Sequence, residues 1–143
     1  MPGKTTTAGQ TLSKAERLTR TRLIGQVYDT GEVLKTPAIL LIYRFMELPV
    51  TFPAQVMITA AKRNFRHAHD RNRIKRLIRE AYRKNKSGHY LALEKVGKQA
   101  GLIFIFTGRQ LPDSEYVNEK INSLLQRFTQ LVLTHHLQTN EQK

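Results

Sequence analysis

The chain has 143 residues, a length that suits a single domain with a modest core. Its 24 Lys and Arg outnumber its 11 Asp and Glu, and the formal net charge of +13 favours a nucleic-acid partner over an acidic protein or a membrane. The absence of cysteine excludes disulfides and cysteine-ligated metals, and it is compatible with a reducing cytosol. No apolar run approaches the ~20 residues that span a bilayer, so we expect a cytoplasmic protein without membrane contact.

The first predicted element is a helix that begins at Ser13. Residues 1–11 before it are small and polar, and we expect them to form a flexible tail. Ser13 and Glu16 have the spacing of a capping box, in which each side chain satisfies a backbone N–H at the helix start. Gly31 is placed to end this helix in a left-handed conformation.

Strands and two further helices account for the rest of the chain. A final amphipathic helix is predicted to open at Pro112, and residues 135–143 are expected to fray. The β-rich segments are 37–45, which is apolar enough for a central strand, then 54–61 and 102–107, with a weaker signal at 32–35. The order αβββαβα over residues 12–134 predicts one α+β domain, a sheet covered by helices.

A basic helix lies between the last two strands and is the most informative part of the sequence. The stretch 62–86 holds eleven Lys or Arg against two acids, Asp70 and Glu80. A non-helical link is expected over 63–66, with Asp70 in or near the first turn. An apolar stripe that includes Ile74, Ile78 and Tyr82 predicts the buried face. Asn72, Arg76, Arg79 and Arg83 then fall on the opposite side, with Arg73 and Lys75 on its flanks. Exposed like charges repel, so a polyanion such as a nucleic-acid backbone is the partner that stabilises them.

The run from Arg71 to Glu80, RNRIKRLIRE, resembles the Arg-Asn-Arg signature of the bacterial ribonuclease P protein subunit. The preceding Lys62-Arg63-Asn64-Phe65 and the strand 102–107 before the last helix are also similar to that family. The resemblance implies a sheet of about four strands with a left-handed βαβ crossover, a fold that also occurs as a domain of a ribosomal protein. It further implies a protein cofactor, present once per catalytic RNA.

The resemblance assigns the chemistry to the RNA. The catalytic ribonuclease P RNA, with bound Mg²⁺, would remove the 5′ leader of precursor tRNA, and the protein would bind that RNA and hold the leader in a cleft between the sheet and the first helix. Residues implied for the catalytic RNA are Arg71, Asn72, Arg73, Lys75, Arg76 and Arg79, as contacts or as support for that surface. Those implied for the leader cleft are Ile24, Tyr28, Tyr43, Lys62 and Arg63.

Several alternatives stay open at this point. Tyr28 and Tyr43 are as well explained by core packing as by stacking on bases, and Phe65 is expected to anchor the link before the basic helix. Glu80 is expected to pair with Arg76, Arg83 or Lys84 rather than to hold magnesium. We therefore expect no catalytic and no metal-binding residues in the protein. A ribosomal-type RNA-binding protein or RNA chaperone is the alternative function, and a metal-dependent nuclease is disfavoured because the carboxylates are dispersed.

Overall fold

The computed structural model describes residues 12–141, so the tail predicted for 1–11 lies outside the described residues. The chain folds as a single α+β domain with a four-stranded sheet, as predicted. In chain order the elements are a 3-10 helix Lys14–Glu16, α1 Thr21–Thr30, β1 Glu32–Lys35, β2 Ile39–Phe45, β3 Ala54–Ala60, α2 Ala68–Asn85, α3 Ser87–Val96, β4 Ala100–Phe106 and α4 Ser114–Glu141.

The sheet has the strand order β1-β2-β4-β3. β2 pairs antiparallel with β1 and β4, so the apolar segment predicted as a central strand is central. β3 pairs parallel with β4, with Val56 opposite Leu102. The basic helix and α3 connect these two parallel neighbours, which is the βαβ crossover that the resemblance implies; its hand stays a prediction.

The two faces of the sheet are covered by different helices. Successive strand residues point to opposite faces, so Tyr43 and Ile42 belong to different cores. The larger core lies under α2, α3 and α4 and includes Leu41, Phe104 and Phe128. The smaller core lies under α1. The basic helix is thus fixed to the sheet by its apolar stripe, each fully buried side chain contributing roughly 1.5–3 kcal/mol.

The first predicted helix is interrupted. The capping box is present, since the backbone N–H of Ser13 donates to Glu16 Oε1 at 2.8 Å. The helix nevertheless stops after one 3-10 turn, because Arg17 pairs with Val56 and the Leu18 N–H donates to the Val56 carbonyl at 2.9 Å. Strand pairing at the edge of β3 therefore overrides local helix propensity, and α1 begins only at Thr21.

The left-handed conformation predicted for Gly31 is wrong, since its backbone is extended at φ −76° and ψ 160°. Glycine is required there for a different reason. A Cβ on Gly31 would lie 2.4 Å from the Val27 carbonyl oxygen and 2.8 Å from that of Tyr43, so only a residue without a side chain allows this close approach.

The basic helix begins at Ala68, after the predicted link, and ends at Asn85. A second helix, α3, follows it and was not predicted from the sequence. Ser87 and Gly88 open α3, which runs to the left-handed Gly97. Lys86 between the two helices keeps right-handed helical angles, so the chain bends without leaving the helical region. At the other end of the chain, α4 continues to Glu141 and so extends past the boundary predicted at 134.

Candidate nucleic-acid interface

The basic helix α2 presents an open row of cations. Its buried residues are Ile74, Ile78, Ala81 and Tyr82, and the opposite side carries Arg73, Arg76 and Arg79, all exposed, together with Asn72. Within residues 12–135, none of these three arginines forms an ion pair or a hydrogen bond through its side chain. Lys75 is half-buried on the flank of the row. The helix therefore holds its guanidinium groups in solvent, where a polyanion can reach them.

Arg71 supports this surface from below. Its side chain is half-buried, and Nη1 donates to the carbonyl oxygens of Phe65 at 2.6 Å and Arg66 at 3.1 Å. These bonds attach the first turns of α2 to the link that precedes it. These two hydrogen bonds are of the kind expected for the supporting role, one of the two that the resemblance implies for the signature residues.

Glu80, the acid inside the cationic helix, pairs with a neighbour three residues away. The guanidinium of Arg83 donates to both of its oxygens, and the Nε contact measures 3.4 Å. The hydrogen bond from Arg83 lowers the pKa of the Glu80 carboxyl. Of the three pairings considered for Glu80, this one forms, and it leaves Arg76 and Arg79 unneutralised.

Lys62 and Arg63 are exposed in the turn that follows β3. The turn is held from both sides. Asn64 Nδ2 donates to the carbonyl oxygens of Thr107 at 3.1 Å and Gly108 at 3.3 Å, just after β4. Phe65 is buried with its ring centroid 5.9 Å from that of Phe106, as expected of an anchor.

The residues predicted for the leader cleft do not all meet. Ile24 packs against the core under α1, and Tyr28, one turn later on α1, is 46% exposed. Tyr43 is only 8% exposed and lies on the opposite face of the sheet, with its ring centroid 5.0 Å from that of Phe128. Its assignment to a cleft beside the first helix is therefore wrong. A one-residue shift along a strand changes the face, and Ile42 is the neighbour that faces α1.

A buried polar cluster behind the basic helix was missed by the sequence reasoning. Lys86 Nζ lies 2.5 Å from Glu16 Oε2, and the Tyr90 hydroxyl donates to the same oxygen at 2.6 Å. Burial raises the pKa of Glu16, but hydrogen bonds from Lys86, Tyr90 and Ser13 outweigh that effect and hold it below its ordinary value. The capping box places Glu16, but nothing in the sequence pairs it with a lysine 70 positions away.

His89 extends this cluster and is fully buried beside Tyr82, whose hydroxyl is 3.0 Å from His89 Nε2. Burial, with a smaller effect from the charge of Lys86, lowers the pKa of His89 to about 3. The imidazole is therefore neutral at physiological pH. It belongs to the packing between α2, α3 and α4, since its ring also contacts Phe128.

Within the described residues, no three His, Asp or Glu side chains come together as metal ligands would. None of the helices in this part of the chain has both the length and the apolarity needed to cross a membrane.

An α+β domain with an open cationic helix is typical of RNA-binding proteins. The family model of ribonuclease P matches residues 12–129, nearly the whole described domain. The ribonuclease P protein component of Porphyromonas gingivalis strain ATCC 33277 is 32% identical over 117 residues, covering 82% of this chain and 85% of that protein. That of Chlorobaculum tepidum is 36% identical over 114 residues, covering 73% of this chain and 74% of that protein. The chain belongs to the ribonuclease P protein family.

Solved structures show the same fold. The RNase P protein of Staphylococcus aureus superposes with a TM-score of 0.62 at 18% identity, covering 79% of this chain and 94% of that one. The RNase P protein of Thermotoga maritima also gives 0.62, at 23% identity, covering 78% of this chain and 96% of that one. The arrangement of sheet and helices is thus retained where most side chains differ.

Proposed function

We propose that this protein is the cofactor that binds the catalytic RNA of ribonuclease P and assists removal of the 5′ leader from precursor tRNA. One observation carries the proposal: Arg73, Arg76 and Arg79 project from a rigid helix with no internal partner among the described residues. Guanidinium groups suit bidentate contact with phosphates, and family membership supplies the RNA that would provide them.

The protein's part in the reaction is electrostatic. Cations that neutralise RNA phosphates reduce the repulsion that opposes folding of the RNA, so less Mg²⁺ is needed to hold the active form. In this proposal the RNA binds the Mg²⁺ that performs hydrolysis, and the protein contributes no catalytic residue. One protein would serve each RNA, in the cytoplasm, where bacterial precursor tRNA is made.

The leader would lie against the sheet face that α1 covers. Tyr28 is exposed at its border, and Ile24, Met57 and Ile105 are half-buried apolar side chains of the same core. An exposed aromatic ring stacks on an unpaired base of any identity, as a variable leader requires. Lys62 and Arg63 would contact phosphates from the turn after β3. Tyr43 has no part in this surface because it lies on the other face.

Reconstitution tests the proposal. The purified protein is mixed with a bacterial ribonuclease P RNA at a Mg²⁺ concentration too low for the RNA alone, and cleavage of a precursor tRNA at the leader junction is measured. We expect the protein to restore cleavage, and the variant with Arg73, Arg76 and Arg79 all changed to Ala to lose most of this effect. A matched control is Lys95→Ala, which removes an exposed cation from α3.

The outcomes separate the functions considered. Restored cleavage at the junction that depends on the three arginines supports the ribonuclease P role. Protein that binds RNA tightly but leaves cleavage unchanged would indicate a ribosomal-type protein or RNA chaperone. Cleavage by the protein without the RNA, abolished by a chelator, would indicate a nuclease and overturn the proposal.

A further inference from the structure

The buried polar cluster around Glu16 continues into a chain of four hydrogen-bonded side chains. The Tyr90 hydroxyl donates to Glu16 Oε2 at 2.6 Å, and a further side-chain hydrogen bond joins Tyr90 to Tyr82. The Tyr82 hydroxyl in turn lies 3.0 Å from His89 Nε2. Glu16 belongs to the N-terminal 3-10 helix, Tyr82 to α2, and the other two residues to α3. The chain of bonds therefore joins three separate elements at one buried point.

The direction of these bonds assigns the hydrogen of the His89 ring. Tyr90 gives its hydrogen to Glu16, so it accepts from Tyr82, and the Tyr82 hydroxyl then accepts from His89. Nε2 of His89 therefore carries the hydrogen. The other ring nitrogen, Nδ1, is buried and has no hydrogen-bond partner among the described residues. A second hydrogen on this ring would lie on Nδ1, where the fold offers no acceptor.

The charges around His89 also oppose a second proton. Lys86, at the bend between α2 and α3, is buried in the same cluster. The surface depression beside His89 is lined by two further cations, Lys84 from α2 and Arg127 from α4. The carboxylate of the cluster, Glu16, is already paired with Lys86. A positive charge on the imidazole would therefore be buried among cations without an anion of its own, which is unfavourable.

These surroundings make the neutral state of His89 a condition of the packing. The side chain is fully buried, with its ring centroid 5.4 Å from that of Tyr82 and 5.8 Å from that of Phe128. Burial, together with the Lys86 charge, lowers the pKa of His89 to about 3, whereas histidine in the unfolded chain keeps the ordinary value of 6.5. The stability that the neutral ring provides is therefore complete above pH 6.5 and is lost progressively as the pH falls from 6.5 toward 3.

The other acidic groups of the cluster do not change charge in the upper part of that range. Burial raises the pKa of the Glu16 carboxyl, but its hydrogen bonds bring the pKa below the ordinary 4.5. Burial raises the pKa values of Tyr82 and Tyr90 above the ordinary 10.0, so both hydroxyls stay protonated. Of the carboxyl, hydroxyl and imidazole groups in the cluster, only the imidazole changes charge between pH 4.5 and 6.5.

We propose that His89 is an acid-sensitive switch on the junction of the N-terminal 3-10 helix, α2 and α3: the neutral ring holds the junction closed, and a proton taken from solvent onto Nδ1 opens it. Opening lets water solvate the imidazolium, which the closed junction cannot do. It also withdraws support from the end of the basic helix, because Tyr82 is buried there three residues after Arg79. The switch goes beyond the proposed function and does not depend on it.

Hydrogen exchange of the full chain tests the switch. Amide exchange rates, corrected for their intrinsic pH dependence, are compared at about pH 7.5 and about pH 5. Residues 13–18 and 82–93 should lose protection about thirtyfold, because opening takes up one proton, while β2 and β4 keep their protection. His89→Gln still offers an N–H to Tyr82 but cannot take up the proton, so it should lose this pH dependence. The control His69→Gln removes an exposed histidine from α2 and should behave like the wild type.

Nitrogen chemical shifts of the His89 ring give a second readout on the unaltered chain. In the folded state they should show a neutral ring with its hydrogen on Nε2 down to about pH 5. If His89→Gln does not fold, His89→Phe, which keeps the ring volume, takes its place in the exchange experiment. A folded-state ring that is protonated near pH 6.5, exchange that accelerates equally in every element, or an unchanged pH dependence in the variant would each overturn the proposal.

Discussion

The middle and the end of the basic stretch 62–86 use the same charge in opposite ways. In its middle, Arg73, Arg76 and Arg79 face solvent without internal partners among the described residues. At its end, Lys86 is 1% exposed and paired with the equally buried Glu16. Net charge therefore overstates the binding surface, because a cation with an internal partner is not available to RNA.

The difference has an energetic reason. A buried lysine costs several kcal/mol to desolvate and is tolerated only when a carboxylate and further hydrogen bonds compensate it. Glu16 and Tyr90 meet that need, and the pair fixes the N-terminal 3-10 helix against the bend between α2 and α3. An exposed arginine has no such desolvation cost, so its guanidinium group stays available to bind a partner.

The largest effect is expected when the buried pair is broken. Lys86→Met should reduce the free energy of unfolding by about 3–5 kcal/mol, because it leaves the Glu16 carboxylate buried without its cation. Urea denaturation measures the change. The double variant Glu16→Gln with Lys86→Met should recover much of the loss. A single variant as stable as the wild type would show that Lys86 is not buried as described.

The aromatic residues Tyr43 and Tyr28 offer the same contrast. Tyr43→Ala should destabilise the fold by about 3 kcal/mol, since it removes a buried ring packed on Phe128. Tyr28→Ala should change stability by less than about 0.5 kcal/mol. It should instead cost roughly 1–3 kcal/mol in affinity for leader-bearing precursor, with mature tRNA unaffected. Equal losses for both RNAs in Tyr28→Ala would place the leader elsewhere.

The smallest effect separates two arginines of the signature. Arg71→Ala should reduce the free energy of unfolding by about 1 kcal/mol, because two carbonyl oxygens lose their donor. Arg76→Ala should leave stability unchanged and weaken binding of the ribonuclease P RNA about tenfold, with a shallower salt dependence. Thermal melts and a salt-titrated binding assay give both quantities. Identical profiles for the two variants would contradict the division of roles between them.

Local pattern was sufficient for much of the molecule. Apolar periodicity predicted the buried stripe of the basic helix, and β-rich runs predicted the strands, because burial on one helix face and in a central strand leaves a direct trace in residue order. The Ser13–Glu16 capping box was predicted as well, because its two residues lie only three positions apart in the sequence. The exposed cations Arg76 and Arg79 followed as the side opposite the stripe, with Arg73 on its flank.

Other features depended on contacts between distant parts of the chain. Pairing with β3 ended the first helix, and the packing of Ala92 and Leu93 stabilises α3 despite the Ser87-Gly88 start. Strand register decides the face on which Tyr43 lies, and residue composition gives almost no information about register.

The sequence by itself determined the fold class, the cationic helix and the family resemblance, because all three depend on local periodicity and on one contiguous motif. Tertiary structure decided which charges are available. It joined Glu16 to Lys86 and turned Arg71 toward the backbone. The physical reason is that a charge is neutralised by its neighbours in space, and only the folded chain determines those neighbours.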